Sequence, residues 1–373
     1  MKVVFDRGPL GGRTAFAEPI AVIRAGEPAQ VPGAIANMER ARREGFWLAG
    51  HLAYELGYCL APRLAPLLPP ERDTPLLAMG VFRDCRPAAP LPAPPPDWAV
   101  AVRPRWRFED YRPAFERVRA YLAAGDCYQI NLTFPLEVET DLAPEALYAA
   151  LAAGQPVGHG AYLDLGGPLL LSRSPELFFA VDREGWIEAR PMKGTAPRHA
   201  DPAADRAAAE ELCRSEKNRA ENLMIVDLLR NDLTRVAEIG TVRVPALFEV
   251  ERYATVHQMT STVRARLRPG VTLARLLRAL FPCGSVTGAP KIRAMEIIRE
   301  LEPWPRGAYC GALGWIAPDG AMAFNVAIRT LAAHGDGRLL LNVGGGVVYD
   351  STAEAEYEEA LWKSRFLQPS PAG

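Results

Sequence analysis

The sequence carries no excess of charge of either sign: 43 lysines and arginines stand against 44 aspartates and glutamates, a formal net of −1 over 373 residues. That balance excludes the broad electrostatic footprint with which proteins hold nucleic acid or an anionic membrane, so any anionic ligand must be gripped locally. Paired cysteines are also missing. Cys59, Cys85, Cys127, Cys213, Cys283 and Cys310 lie far apart with no C-x-x-C among them, which excludes the usual zinc and thioredoxin-like spacings. A chain of this length needs no disulfides, so reduced, mostly buried thiols are expected. Long apolar runs are absent too: "FWLAGHLAYELGYCL" is too short to span a bilayer and carries His51 and Glu55. The opening "MKVVFDRGPLGG" has acid, base and glycine where a signal peptide needs an apolar segment. A soluble, cytoplasmic protein is expected. No internal repeat is visible, and "GSVTGAPK" lacks the spacing of a Walker loop, which argues against nucleotide binding.

What is present suits a large folded body. Hydrophobic residues make up 49% and aromatics 8%, enough to fill a core. The length allows two domains or one large α/β unit. "RPAAPLPAPPPDW", residues 86–98, can be neither helix nor central strand, and reads as a surface connection between an N-terminal region, 1–104, and the remainder, 105–368. Helical spacing runs from Phe108 to Ala124 and stops at Gly125, after which "YQINLTFPLEVE" alternates as a strand. "GPLLLSRSPELFFAVDREGWIEARPMKGT" reads as a strand pair that places Glu176 and Lys193 on or beside neighbouring strands, with "RPMKGTAPR" itself rich in turn chemistry.

"SEKNRAENLMIVDLLRNDLTRV" predicts an amphipathic helix with Leu223, Ile225, Val226, Leu229 and Leu233 as its apolar stripe. "TGAPKIRAMEIIRELEP" predicts another, with Pro290 at its first turn and Pro303 past its end. "RLLLNVGGGVVYDSTAEAEYEEALWKSRF" reads as strand, glycine turn, strand and helix, with Ser351 and Glu354 spaced as a capping box. Adjoining hairpins among the helices favour an α+β fold with a mixed sheet over a doubly wound parallel one.

Several side chains are equipped for chemistry. Glu356, Glu359 and Lys363 fall at i, i+3 and i+7, one face of the last helix, which fits a solvated charge stripe or a ligand site. Glu221 flanks an apolar stripe, where by itself it fits a boundary glutamate better than a ligand. Were these carboxylates to converge, they would suit a hard cation, Mg²⁺ by default. Gly344, Gly345 and Gly346 fit a tight turn, or backbone N–H groups approaching an anion. The helix opened by "GSVTGAPK" has an N-terminus that can take a carboxylate. Arg329, amid strand residues, needs either a carboxylate ligand or a structural ion pair. His257 fits an interior, satisfied histidine as well as a ligand site.

In their order along the chain, "GDCYQINL", "RSPELF", "RPMKGTAPR", "KNRAENLMIVDLLRNDLTRV", "VHQMTSTV", "GSVTGAPKIRAMEII", "AIRT" and "GGGVVYDSTAEAEYEEALWKS" together resemble the chorismate-utilising enzymes. That family includes component I of anthranilate synthase and of aminodeoxychorismate synthase, and the isochorismate and salicylate synthases. The resemblance spans about residues 108–366; before that it is loose, mainly "GHLAYELGY". It implies an anthranilate-synthase component I-like fold, with large, mostly antiparallel sheets packed face to face and helices outside. Within the family, anthranilate synthases have alanine where Lys193 stands, and aminodeoxychorismate synthases have P-I-K-G-T. Isochorismate and salicylate synthases carry their lysine at the position of Gln129 instead. Glutamine at 129 with lysine at 193 resembles the aminodeoxychorismate pattern.

The resemblance further implies chorismate as substrate and a role for each residue. Glu221 and Glu359 would hold Mg²⁺, with Glu356 close behind. Arg329, Tyr309, Lys363 and the amides of Gly344, Gly345 and Gly346 would receive the enolpyruvyl carboxylate. Ser285 and His257 would line the ring site, Glu176 would be the general acid and Lys193 the nucleophile. No glutaminase elbow occurs, so ammonia is expected from a separate glutamine amidotransferase subunit. No L-L-E-S stretch is found near the N-terminus, so tryptophan feedback is not expected. The alternatives are an anthranilate synthase component I and a non-catalytic chorismate-binding regulator. The tail "LQPSPAG" reads as a natural end or the stub of a linker.

Overall fold

Two ten-stranded sheets carry the chain in a computed structural model that describes residues 1–368 apart from 97, 254–255 and 336. The first runs in the order Gly288–Ala289, Gln129–Glu139, Leu339–Val347, Thr330–Ala333, Leu169–Ser174, His159–Asp164, Lys2–Phe5, Thr14–Ala17, Arg86–Pro87, with Ala101–Pro104 also on Gln129–Glu139. The second runs Met192–Pro197, Val256–Arg266, Trp186–Arg190, Leu177–Val181, Met322–Val326, Ala312–Ile316, Trp47–Leu52, Leu77–Phe82, Ala21–Ala25, with Arg243–Arg252 on Val256–Arg266. The strand pairings are antiparallel throughout the described residues, as hairpin-rich patterning predicts.

Strand alternation decides which side chains meet. In Lys2–Phe5, Val3 and Phe5 pack with Ala49, Ala78 and Leu313 of the second sheet, while Val4 faces away from them. Phe16 and Phe82 complete that inter-sheet layer, their ring centroids 5.5 Å apart. On the outside of the second sheet, Val31–Arg43 buries Ile35 and Met38 against its strands. On the first sheet, Phe108–Ala123 and Ala353–Trp362 lie together over Leu339–Val347.

The proline-rich connection marks no break in either sheet. Lys2–Phe5 pairs with His159–Asp164, and Trp47–Leu52 pairs with Ala312–Ile316, so strands from before residue 104 are built into both sheets.

Four local expectations are corrected. The glycine triplet is not a turn: Leu339–Val347 is one continuous strand, with Gly344, Gly345 and Gly346 opposite Thr133, Leu132 and Asn131. The turn-like "RPMKGTAPR" contains the strand Met192–Pro197, and its turn chemistry appears as a register shift between Met192 and Thr195 with Gly194 at φ +94°. In the helix Glu216–Thr234, Leu223 is 51% exposed, and the fully buried Asn222, holding Ser261 Oγ at 2.6 Å, lies on the packed face instead. The last helix is capped by Thr352, whose side chain accepts from Ala355 N, and Ser351 is thereby released for another partner. Most of the tail "LQPSPAG" lies outside the described residues.

Candidate active site

A cavity of about 160 Å³ opens where the ends of the two sheets face each other. The first sheet supplies Asn131, Gly344 and Gly346; the second supplies Met192, Lys193 and Gln258. Loops add Glu176, Ser285, Tyr309 and Arg329, and the last helix adds Glu359 and Lys363.

The glycines make room for the lysine. A Cβ on Gly346 would lie 2.7 Å from Lys193 Nζ and 2.8 Å from Gln129 Nε2, closer than real contacts allow. The bulge at Gly194 re-aims the strand, and Lys193 ends in the cavity rather than in the sheet's own packing. Burial pushes its amine below the ordinary lysine range, and the Lys363 ammonium acts in the same direction. The carboxylates of Glu221, Glu176 and Glu359 oppose that shift.

Glu176 is 3% exposed, and burial raises its carboxyl to about 7. A hydrogen bond from Ser285 Oγ at 2.7 Å, the charge of Lys193 and the Met192 N–H pull it back. The site therefore holds a carboxyl that keeps its proton well above the ordinary carboxylate range, up to about 7, beside an amine inclined to lose its own. That is the pairing an acid and a nucleophile require.

Arg329 stands in the left-handed region at φ 50° and lines the same cavity. Burial lowers the pKa of its guanidinium, and among the described residues only Tyr253, not a carboxylate, offsets that. A buried guanidinium without a carboxylate partner is a ready receptor for a planar carboxylate. Tyr309 is nearby on the wall, and Lys363 Nζ donates to Gly344 O and pairs with Glu359, both at 2.8 Å.

Gly345 faces the opposite side from its two neighbours. At the position of a Cβ on Gly345, Glu356 Oε2 would lie 2.8 Å away, Lys363 Nζ 3.5 Å and Glu359 Oε1 3.8 Å. Glu356 accepts from Ser351 Oγ at 2.7 Å, and burial together with the Glu359 charge raises its pKa. This all-oxygen donor pair, over a cradle that a side chain would fill, fits a hard divalent cation. Glu221 is half-buried and close enough to Lys193 for its charge to act there, but it does not line the cavity. Among the described residues no three acidic or imidazole side chains converge closely enough to hold a metal by themselves.

His257 is not on the wall, which corrects its expected place beside the ring. It is fully buried, with Nε2 2.8 Å from Asp205 Oδ1. Strand alternation turns its neighbour Gln258 into the cavity instead, where Gln258 Nε2 donates to Gly194 O at 3.0 Å. Gln129 is fully buried, and neither atom of its amide has a partner among the described residues. Sequence reasoning missed Gln258 and Asn131; one step along the strand from His257 and two from Gln129 would have found them.

The description "chorismate binding enzyme" matches residues 2–369. The chain belongs to the chorismate binding enzymes. It is 47% identical over 261 residues to aminodeoxychorismate synthase component 1 of Salmonella typhimurium, an alignment covering 70% of this chain and 57% of that one. It is 48% identical over 253 residues to anthranilate synthase component 1 of Streptomyces coelicolor, covering 67% and 49%. The chain thus spans about half the length of these curated relatives. Among solved structures, anthranilate synthase component I from Streptococcus pneumoniae superposes with a TM-score of 0.82 at 25% identity, covering 95% of this chain and 92% of that one. This chorismate binding enzyme has the antiparallel two-sheet fold its sequence implied. Among the described residues, no helix is long and apolar enough to cross a membrane.

Proposed function

We propose that this chain is the chorismate-aminating component of an aminodeoxychorismate synthase, making 4-amino-4-deoxychorismate for p-aminobenzoate and folate synthesis. The observation that carries the reading is Lys193, a buried amine of lowered pKa sharing a cavity with Glu176, a buried carboxyl of raised pKa. The two relatives' identities differ by one point, 47% against 48%, and so do not choose between amination at C4 and anthranilate formation. The lysine does.

Arg329, Tyr309 and Lys363 orient the substrate by one carboxylate, which fixes the ring against Lys193. The neutral Lys193 amine attacks C2, the ring double bond shifts, and the C4–O bond breaks as Glu176 delivers its proton, releasing water. Ammonia then adds at C4, the double bond returns, and the C2–N bond to Lys193 breaks, with the proton shed by the new ammonium restoring Glu176. Glu359, Glu356 and Glu221 would hold Mg²⁺, which supplies positive charge for the substrate's other carboxylate. A non-catalytic binder has no use for an acid and a nucleophile placed together.

The relatives' name "component 1" supports a second subunit, for which a glutamine amidotransferase delivering ammonia is the fitting chemistry. Six free cysteines suit a reducing, cytoplasmic setting. Mass spectrometry of products from chorismate, Mg²⁺ and ammonium tests the reading: aminodeoxychorismate is expected, and anthranilate or unchanged chorismate would overturn it.

A further inference from the structure

Behind Glu176 lies a hydrogen-bond chain that ends on a cysteine outside the cavity. Ser285 Oγ donates to Glu176 Oε1 at 2.7 Å, and Cys283 Sγ lies 3.2 Å from Ser285 Oγ. A serine hydroxyl has one proton. While Glu176 is ionised that proton is committed to the carboxylate, and the thiol is then the donor to Ser285. All three residues are at least 96% buried, at 3%, 4% and 2% exposure. Cys283 does not line the cavity and cannot touch a ligand there. Its backbone is fixed as well: Thr287 Oγ1 donates to Cys283 O at 2.7 Å, and the thiol sits where the chain enters the turn Gly284–Val286.

We propose that Cys283 is a positioning residue that sets the proton affinity of the general acid through Ser285. This rests on the reading of Glu176 as the acid. In the ionised state the chain runs Cys283 S–H to Ser285 Oγ–H to Glu176 carboxylate, each donor stabilising the negative charge. In the protonated state it reverses: Glu176 O–H donates to Ser285 Oγ, whose proton turns to the sulfur. Sulfur is a weak acceptor, so the reversed chain is the poorer one. A thiol at this place therefore favours release of the proton without holding the carboxylate as firmly as a hydroxyl would. Burial drives the thiol's own pKa up to about 12, so it stays an S–H donor while Glu176 titrates. The other titratable groups acting on this pair are Lys193, which lowers Glu176, and Lys291, which lowers Cys283; the buried Cys310 in turn feels the Glu176 charge.

The test compares Cys283→Ala with Cys283→Ser. Removing the donor destabilises the carboxylate, so Cys283→Ala should move one limb of the kcat/KM pH profile upward by about half a pH unit, a fraction of a hydrogen bond to a charge. Cys283→Ser, with a stronger donor of similar size, should move the same limb downward, while the KM for chorismate stays put in both. A structural cysteine would lower activity in both variants without opposite shifts. Infrared spectroscopy of the parent protein needs no turnover: the S–H stretch of Cys283 should shift as pH crosses the Glu176 titration, and Glu176→Gln should abolish that shift. Unmoved limbs in an enzyme that still makes aminodeoxychorismate, or a pH-invariant S–H band, would overturn the inference and leave the proposed function standing. Absence of the product in the parent would sink the function alone, since the infrared result is independent of it.

Discussion

At the scale of single residues, the chemistry is a contest between solvation and charge. Lys193 has carboxylates around it that favour its ammonium form, yet burial outweighs them and lowers its pKa. In water, roughly one lysine in 2,500 is neutral at pH 7; here the lowered pKa enlarges that fraction. With chorismate and Mg²⁺ but no ammonia, intact-mass spectrometry of a rapid-quench series should show the protein carrying one chorismate less one water. The adduct should map to "RPMKGTAPR", and ammonia should discharge it. Lys193→Ala should lose both the adduct and most aminodeoxychorismate formation while keeping its fold; product formation near the parental rate would show the lysine to be electrostatic only. Because Glu176 must keep its proton and titrates at about 7, kcat/KM at constant free ammonia should fall as pH rises beyond that value. The identities of these two residues were legible in the sequence through motif order. Their pKa shifts were not, since burial comes from neighbours remote in the chain, such as Ser285, 109 residues from Glu176.

At the scale of elements, what the sequence could not convey was which face each residue occupies. Three glycines signal missing side chains, and a turn is the cheaper inference from local chemistry alone. Pairing with Gln129–Glu139 makes the triplet a strand, and each glycine then serves the side it faces: Gly346 admits Lys193, and Gly345 admits Glu356 and Glu359. Gly346→Ala should therefore cost at least tenfold in kcat with a smaller effect on melting temperature, because the methyl meets the side-chain ends of Lys193 and the buried Gln129 rather than backbone. A loss of folding, seen by circular dichroism, would contradict that account. The capping-box reading of Ser351 failed for a similar reason: Thr352 one residue later satisfies the helix terminus, which lets Ser351 hold Glu356. Ser351→Ala and Glu359→Gln should each weaken the Mg²⁺ dependence of chorismate binding in calorimetry, Glu359→Gln more strongly because it removes a negative charge and one carboxylate oxygen from the set itself. Unchanged Mg²⁺ dependence in Glu359→Gln would remove it from the metal set.

At the scale of the molecule, antiparallel strands drawn from both ends of the chain enclose a polar cavity, and enclosure carries a stability penalty that depends on pH. Fold class was legible from hairpin patterning; the interleaving of residues before 104 into both sheets was not, because pairing across more than a hundred residues leaves no local signature. The same burial that readies Glu176 acts on Glu55, which lies under the Arg306–Gly307 turn, accepts both backbone N–H groups and is raised to about 7. Each carboxyl starts from 4.5, so between 4.5 and about 7 the folded protein binds protons that the unfolded chain has released. Stability from these two groups is thus present below pH 4.5 and is lost as pH rises through about 7. Glu176→Gln removes one such group while leaving an amide oxygen to accept from Ser285. That variant should be inactive yet more stable than its parent at pH 8, by on the order of 2 kcal/mol, with the difference shrinking towards pH 5. Chemical denaturation of parent and variant at both pH values measures it. A difference that does not depend on pH would mean that the gain comes from packing rather than from relieving a buried charge, and that Glu176 is not the strained acid that the geometry implies.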